Sequence, residues 1–286
     1  MWYLSLFLSI FAISGVNIID KSLSSSIDRR LVLFYRYSAS IIFLLGAAVI
    51  FQVSYITWVY AAICIGLWVL SYLNNTIMYR GLEQINTWVF FVIGYLYIVF
   101  LFFVNIYLFG GSEIIGGAKI LFGIGFASVV FAIMYLWGVE SHHSSRLWYV
   151  FALLCALGWT LSYAVSVYLV KTIDIHPIAM LLYEAIGACI FWAIMLYHNR
   201  SRFPNKVYTK QEAIAPILGW SLLSLGLMLF FISYWYLPAN VVNIISLSDL
   251  LVTTLFGYYF LQESIKPRIL ILGCIAFILL IGFSLV

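Results

Sequence analysis

Apolar residues run along this chain in long blocks broken by short polar connections. A bilayer core about 30 Å thick needs roughly 20 such residues per helix, so the blocks can be counted as spans. Cutting at the polar punctuation gives ten: 2–19, 31–51, 57–79, 86–109, 114–137, 147–170, 177–197, 213–235, 239–261 and 267–286. Continuous runs of this length predict helices, because a membrane β-barrel shows alternation over about ten residues. The first block has no basic flank and ends in "GVNIIDK" without a small-residue cleavage pattern, so it is read as part of the fold.

Composition agrees. Hydrophobic residues make up 65% of the 286 and charged residues 8%, with a mean hydropathy of +1.11, which predicts an all-α polytopic membrane protein. Cys64, Cys155, Cys189 and Cys274 fall inside spans as small packing residues. His142, His143, His176 and His198 lack partners at ligand spacing, so no metal and no cofactor are expected. The acceptor tripeptides at Asn74 and Asn199 match by chance as readily as by purpose. Lys and Arg collect in the odd-numbered connections, from Lys21, Arg29 and Arg30 to Lys266 and Arg268, against Lys171 alone on the other side. That bias predicts cytoplasmic odd connections and both termini outside. It also accounts for the net charge of +4 without a nucleic-acid partner.

The sequence repeats itself. "LFYRYSASIIFLLG" (33–46) resembles "LLYEAIGACIFWAI" (181–194), which sets Arg36 opposite Glu184. "SEIIGGAKILFG" (112–123) resembles "ESIKPRILILG" (263–273), each with a Glu ten residues before a Gly. Two halves of five spans follow, 1–137 and 147–286, joined by a loop at 138–146. An odd number of spans per half inserts the second copy upside down, so the expected fold is ten transmembrane helices as two inverted five-helix repeats.

Ten spans as five plus five, an Arg early in the second span (Arg36) and the Glu-x9-Gly pattern from Glu113 and Glu263 resemble the EamA-type branch of the drug/metabolite transporter superfamily. The resemblance covers nearly the whole chain and implies transport of a small metabolite; amino acids, nucleotide sugars, sugar phosphates, quaternary amines and drugs all occur as cargo in that superfamily. It also implies termini inside, against the charge bias. Where the family commonly has Pro in the fourth and ninth spans, this chain has Gly94 and Tyr95, and Ser248 and Asp249.

Four charged residues lie well inside spans: Arg36, Lys119, Glu184 and Asp249. Central Asp, Lys or Arg each costs roughly 2.5–3.5 kcal/mol to insert, so such residues usually face a cavity or a partner. Lys119 is close enough to an interface to snorkel. Arg36 and Glu184 sit about 8 to 10 Å below opposite surfaces, so about 10 Å of depth separates them, and each is expected to police one side of a central cavity, with Arg36 at a gate or headgroup interface. Asp249, about 15 Å in, is at the midplane, where repeat transporters bind substrate and coupling ion. Asn243, Ser246, Asp249 and Thr253 form a polar stripe. Ser71, Asn74 and Asn75 offer a second polar stretch, and mid-span Tyr95, Trp159, Tyr163 and Tyr183 could stack on a ligand. Each feature also has a packing interpretation, as helix glue or as core.

The expected function is therefore secondary active transport of a small amphipathic solute, an amino acid or organic amine, by alternating access. Asp249, with Glu184 second, would bind an amine or carry a proton; coupling to protons and exchange are both left open. The partners are small-molecule substrate, protons and membrane lipids. The expected location is a bacterial cytoplasmic (inner) membrane. A nucleotide-sugar or other metabolite exchanger of the same fold is the alternative. A membrane enzyme is disfavoured, since HExxH, GxSxG and Asp-x-x-Asp are absent.

Overall fold

The structure is a computed structural model that describes residues 2–23, 29–54, 56–83, 85, 87–109, 117–140, 147–198, 210–237, 239–263 and 266–285. All its regular elements among these residues are helices: α1 Trp2–Leu23, α2 Arg29–Ile50, α3 Trp58–Leu82, α4 Thr87–Gly94, α5 Leu96–Phe109, α6 Gly117–Glu140, α7 Leu147–Lys171, α8 Pro177–His198, α9 Lys210–Tyr236, α10 Ala239–Ser246, α11 Ser248–Leu261 and α12 Pro267–Leu285. Seven of the described helices are long and apolar enough to cross a bilayer. This is an all-α polytopic membrane fold. Helices are the outcome because hydrocarbon offers no partner for a backbone N–H or C=O, and only intra-segment bonds satisfy both.

The fourth and ninth spans are broken. α4 and α5 meet at Tyr95, α10 and α11 at Leu247, and each pair consists of 8 residues, one interruption and 14 residues. At each break the interrupting carbonyl accepts from the residue three ahead, Ile98 N–H to Tyr95 at 3.1 Å and Leu250 N–H to Leu247 at 3.1 Å. Neither needs Pro. The break positions coincide with the pair of segments singled out in the sequence for lacking it.

Exchanging the first six helices for the last six carries the principal packing contacts onto one another. α1 packs on α9 and α7 on α3; α3 on α8 and α9 on α2; α1 on α11 and α7 on α5; α2 meets α8, and α6 meets α12, each its own counterpart. Glycines set the closest approaches, as expected where van der Waals contact drives helix association. A Cβ on Gly226 of α9 would lie 2.9 Å from Ile13 Cγ1 and 3.3 Å from the Ser9 carbonyl of α1, and one on Gly187 of α8 would lie 2.8 Å from the Ile65 carbonyl of α3.

The helix ends are tied by polar groups in matching ways. Lys21 at the end of α1 donates to the Leu82 carbonyl and, at 2.9 Å, to that of Ile85. Lys171 at the end of α7 donates to the Leu237 carbonyl at 3.1 Å. α11 ends on Gln262 in the left-handed region (φ 53°), with Glu263 N–H reaching back to Gly257 at 3.2 Å. That turn delivers the Glu263 carboxylate to the first residue of α4, where it accepts from Thr87 N–H at 3.1 Å and Thr87 Oγ1 at 2.9 Å. Here lies a physical role for the Glu of the Glu-x9-Gly pattern: it caps the start of the broken span in the other half. Its counterpart Glu113 lies outside the described residues, as do the joining-loop residues 141–146.

Candidate functional site

A cavity of about 190 Å³ lies between the two halves. Three helices face it with positions i, i+3, i+4 and i+7, the spacing of one helical stripe. These are Ile13, Val16, Asn17 and Asp20 of α1; Ser71, Asn74, Asn75 and Met78 of α3; and Trp159, Ser162, Tyr163 and Ser166 of α7. The broken spans add Phe91, Tyr95 and Tyr97 on one side and Asp249 on the other, while Arg36, Glu184 and Phe231 come from α2, α8 and α9.

Asp249 stands in the first turn of α11, directly after the interruption at Leu247. Its carboxylate accepts from Ser14 Oγ of α1, from Tyr95 Oη at 2.9 Å and from Thr253 Oγ1 at 3.1 Å. Tyr95 is the interrupting residue of the other broken span, so this hydrogen bond joins the two breaks directly. Asn17 Nδ2 extends the network to Thr253 Oγ1 at 3.5 Å.

Glu184 accepts from Ser71 Oγ across the α3–α8 contact. Asn75 donates to Tyr37 Oη at 3.0 Å. Arg36 is 6% exposed, and its guanidinium carbon lies 3.0 Å from the centroid of the Trp220 ring, a cation–π stack. Its Nη1 is buried without a hydrogen-bond partner among the described residues. The remaining wall is aromatic: Phe91 stacks on Trp159 with centroids 5.8 Å apart, and Tyr97 on Tyr163 at 5.2 Å.

Of the residues singled out in the sequence, Asp249, Glu184, Asn74, Asn75, Tyr95, Trp159, Tyr163 and Arg36 meet in this one cavity. Ser246 is buried at the end of α10 and is not among the lining residues. Tyr183 is half-buried against the hydrophobic core, also away from the lining. The Asn243 side chain lies outside the described residues. Arg36 and Glu184, expected at separate sides, face the same chamber, because both spans cross close beside it. No cluster able to hold a metal ion occurs among the described residues.

Sequence reasoning passed over Asp20, which is 1% exposed on the cavity wall. Ending the first span at residue 19 placed this acid in a loop, whereas α1 continues to Leu23. Ser14 and Asn17 were hidden for another reason, being small polar residues in an apolar run. The spacing of Asn17 and Asp20 was the available signal.

Residues 146–285 match the EamA-like transporter family. The second half of the chain belongs to that family. The protein is thus a membrane transporter of the drug/metabolite superfamily. No curated protein matches. Among solved structures, one crystal structure aligns over 98% of this chain and 95% of its own with a TM-score of 0.68 at 14% identity, a likeness of fold alone.

Proposed function

We infer that this protein is a secondary transporter for a small amphipathic solute bearing an amine, an amino acid or organic amine, and that it works by alternating access. The two five-span halves, 1–137 and 147–286, would rock against each other about the cavity. One observation carries the assignment: the cavity sits where two broken spans meet, and Asp249 at that meeting point is held by donors from α1, from the opposite break and from its own helix. A carboxylate so placed can take a proton or an ammonium group and gives it up when its donors move apart. Stacked aromatic walls suit the apolar body of such a solute. A sugar phosphate or nucleotide sugar would call for several converging cations, and among the described residues the cavity wall carries one, Arg36. The charge bias of the loops favours the odd-numbered connections in the cytoplasm, in a bacterial inner membrane.

The test is counterflow in proteoliposomes with a panel of labelled amines and amino acids. Uptake against preloaded unlabelled solute is expected, and Asp249→Asn, folded as judged by its elution and melting curve, should abolish it. Chemical conversion of the solute, or wild-type flux retained in Asp249→Asn, would refute the assignment.

A further inference from the structure

A side pocket of about 70 Å³ opens beside the main cavity and shares Arg36, Ser71, Asn75 and Glu184 with it. We propose that this pocket is the head-group subsite and takes a zwitterion, with Arg36 binding the carboxylate of the cargo and Glu184 its ammonium group. The proposal rests on the transporter assignment above and narrows it.

The Arg36 side chain ends in a planar guanidinium with its donors set in a fork. One face is covered by Trp220, which leaves only its in-plane N–H groups to bond. Nη1 has no partner among the described residues, although the residue is 6% exposed. A buried charged donor left without an acceptor is costly, and an arriving carboxylate removes that cost through the two-point geometry that suits a guanidinium. Glu184, on the same pocket, accepts from Ser71 and keeps further lone pairs for an ammonium group. The pocket floor is already satisfied, with Ser224 Oγ donating to buried Ser40 Oγ at 2.7 Å.

Size divides the cargo. About 70 Å³ admits a head group, while the larger chamber walled by Phe91, Trp159 and Tyr163 admits an apolar side chain. A plain amine would leave Nη1 bare and a plain carboxylate would leave Glu184 bare, so only a molecule with both charges satisfies the pocket. Asp249 lies in the main chamber and not on this pocket.

The test uses purified full-length protein and four probes of one shape: L-phenylalanine, its methyl ester, phenethylamine and 3-phenylpropionate, with binding followed by calorimetry. L-Phenylalanine is expected to bind at least about tenfold more tightly than any single-charge probe. Arg36→Gln should bring it down to the level of the ester and leave the ester within about twofold of its wild-type affinity. Glu184→Gln should bring it down to the level of phenylpropionate. Arg36→Lys keeps the charge without the planar fork and should retain part of the preference, which provides a folded comparison if Arg36→Gln does not assemble. Equal weakening of all four probes by Arg36→Gln, wild-type binding of the ester as tight as that of the amino acid, or no binding of any probe would overturn the assignment. Counterflow of phenethylamine without preference for the zwitterion would preserve the transport function and refute this subsite, whereas loss of counterflow for every solute would refute both.

Discussion

The hydrogen bond from Tyr95 Oη to Asp249 Oδ2 links the two helix breaks, and removing it is the most informative single perturbation. Tyr95→Phe deletes one oxygen from a side chain that is 5% exposed and packed beside Tyr97 with centroids 5.8 Å apart, so the ring and its contacts stay in place. The lost bond is 2.9 Å long. Hydrogen bonds to a charged acceptor contribute about 1.5–3 kcal/mol and those between neutral groups about 0.5–1.5 kcal/mol. Asp249 keeps Ser14 and Thr253, so the carboxylate is not stranded. A double-mutant cycle of Tyr95→Phe with Asp249→Asn isolates the pairwise energy from the rest of the network. Measured by reversible unfolding in mixed micelles, the coupling energy should lie between about 1.5 and 3 kcal/mol if Asp249 is ionised in the resting state, and nearer 1 kcal/mol if it is protonated. The same variant should slow counterflow. A coupling below about 0.5 kcal/mol, with flux unchanged, would mean that the two breaks are not joined through these side chains and that their proximity is incidental to function.

Three further perturbations test the frame. Gly187→Ala places a methyl group 2.8 Å from the Ile65 carbonyl, a backbone atom that cannot swing aside, and should cost about 1–3 kcal/mol of stability, while Gly46→Ala, with nothing within 4 Å, should be neutral or mildly stabilising; equal melting temperatures would refute the close α3–α8 contact. Glu263→Ala removes the carboxylate that caps α4 and should lower stability by about 1–2 kcal/mol, seen as earlier loss of helical signal in denaturant; an unchanged unfolding curve would show the cap to be dispensable. His176 lies between α7 and α8, where its Nδ1 accepts from Ile178 N–H at 3.2 Å and burial lowers its pKa below the ordinary 6.5. The unfolded chain therefore takes up this proton first as pH falls, so its contribution to stability is complete above about pH 6.5 and is lost toward the lower folded value. The melting temperature should drop between pH 7.5 and 5.5, and drop less in His176→Asn, which keeps an acceptor at the helix start; parallel curves would refute the role.

What could be read from the sequence divides along physical lines. Span number and position depend on the thickness of hydrocarbon and on backbone satisfaction, which act on every residue alike, so ten blocks became helices with ends close to those expected. Asp249, Glu184 and Arg36 were visible because a charge inside a span is expensive enough to need a reason. The break at Tyr95 was visible only as the absence of Pro beside Gly94, and its consequence, the bond to Asp249, required knowing how the two halves meet. Ser162 and Trp220 were not legible at all. A serine in an apolar run and a tryptophan near a span end are ordinary by composition, and only packing makes one a cavity hydroxyl and the other the plate beneath Arg36. Tyr183 shows the converse: mid-span aromatics are common, and helix rotation decides which of them faces the chamber.

The frame and the chemistry obey different symmetries, and for a transporter that difference is useful. Lys21 ties the end of the first helix to the end of the third, and Lys171 does the same in the second half. Odd and even spans end on opposite sides of the membrane, so the two ties stand at opposite ends of the bundle with the same kind of bond. The two broken spans match residue for residue. Under the proposed alternating access, a scaffold built this way would have two arrangements related by exchange of its halves, with similar backbone energies because equivalent contacts would hold each of them. Inside the chamber the equivalence ends. Aligning the breaks sets Tyr97 against Asp249, and the sequence repeat sets Arg36 against Glu184, a base against an acid and a phenol against an acid. If both positions of a pair carried the same group, the cavity would offer a ligand two equivalent poses; with unlike groups it offers one. Under the proposed alternating access, the pseudo-symmetric backbone would permit the exchange of faces, while the asymmetric side chains would keep a single solute orientation through both arrangements.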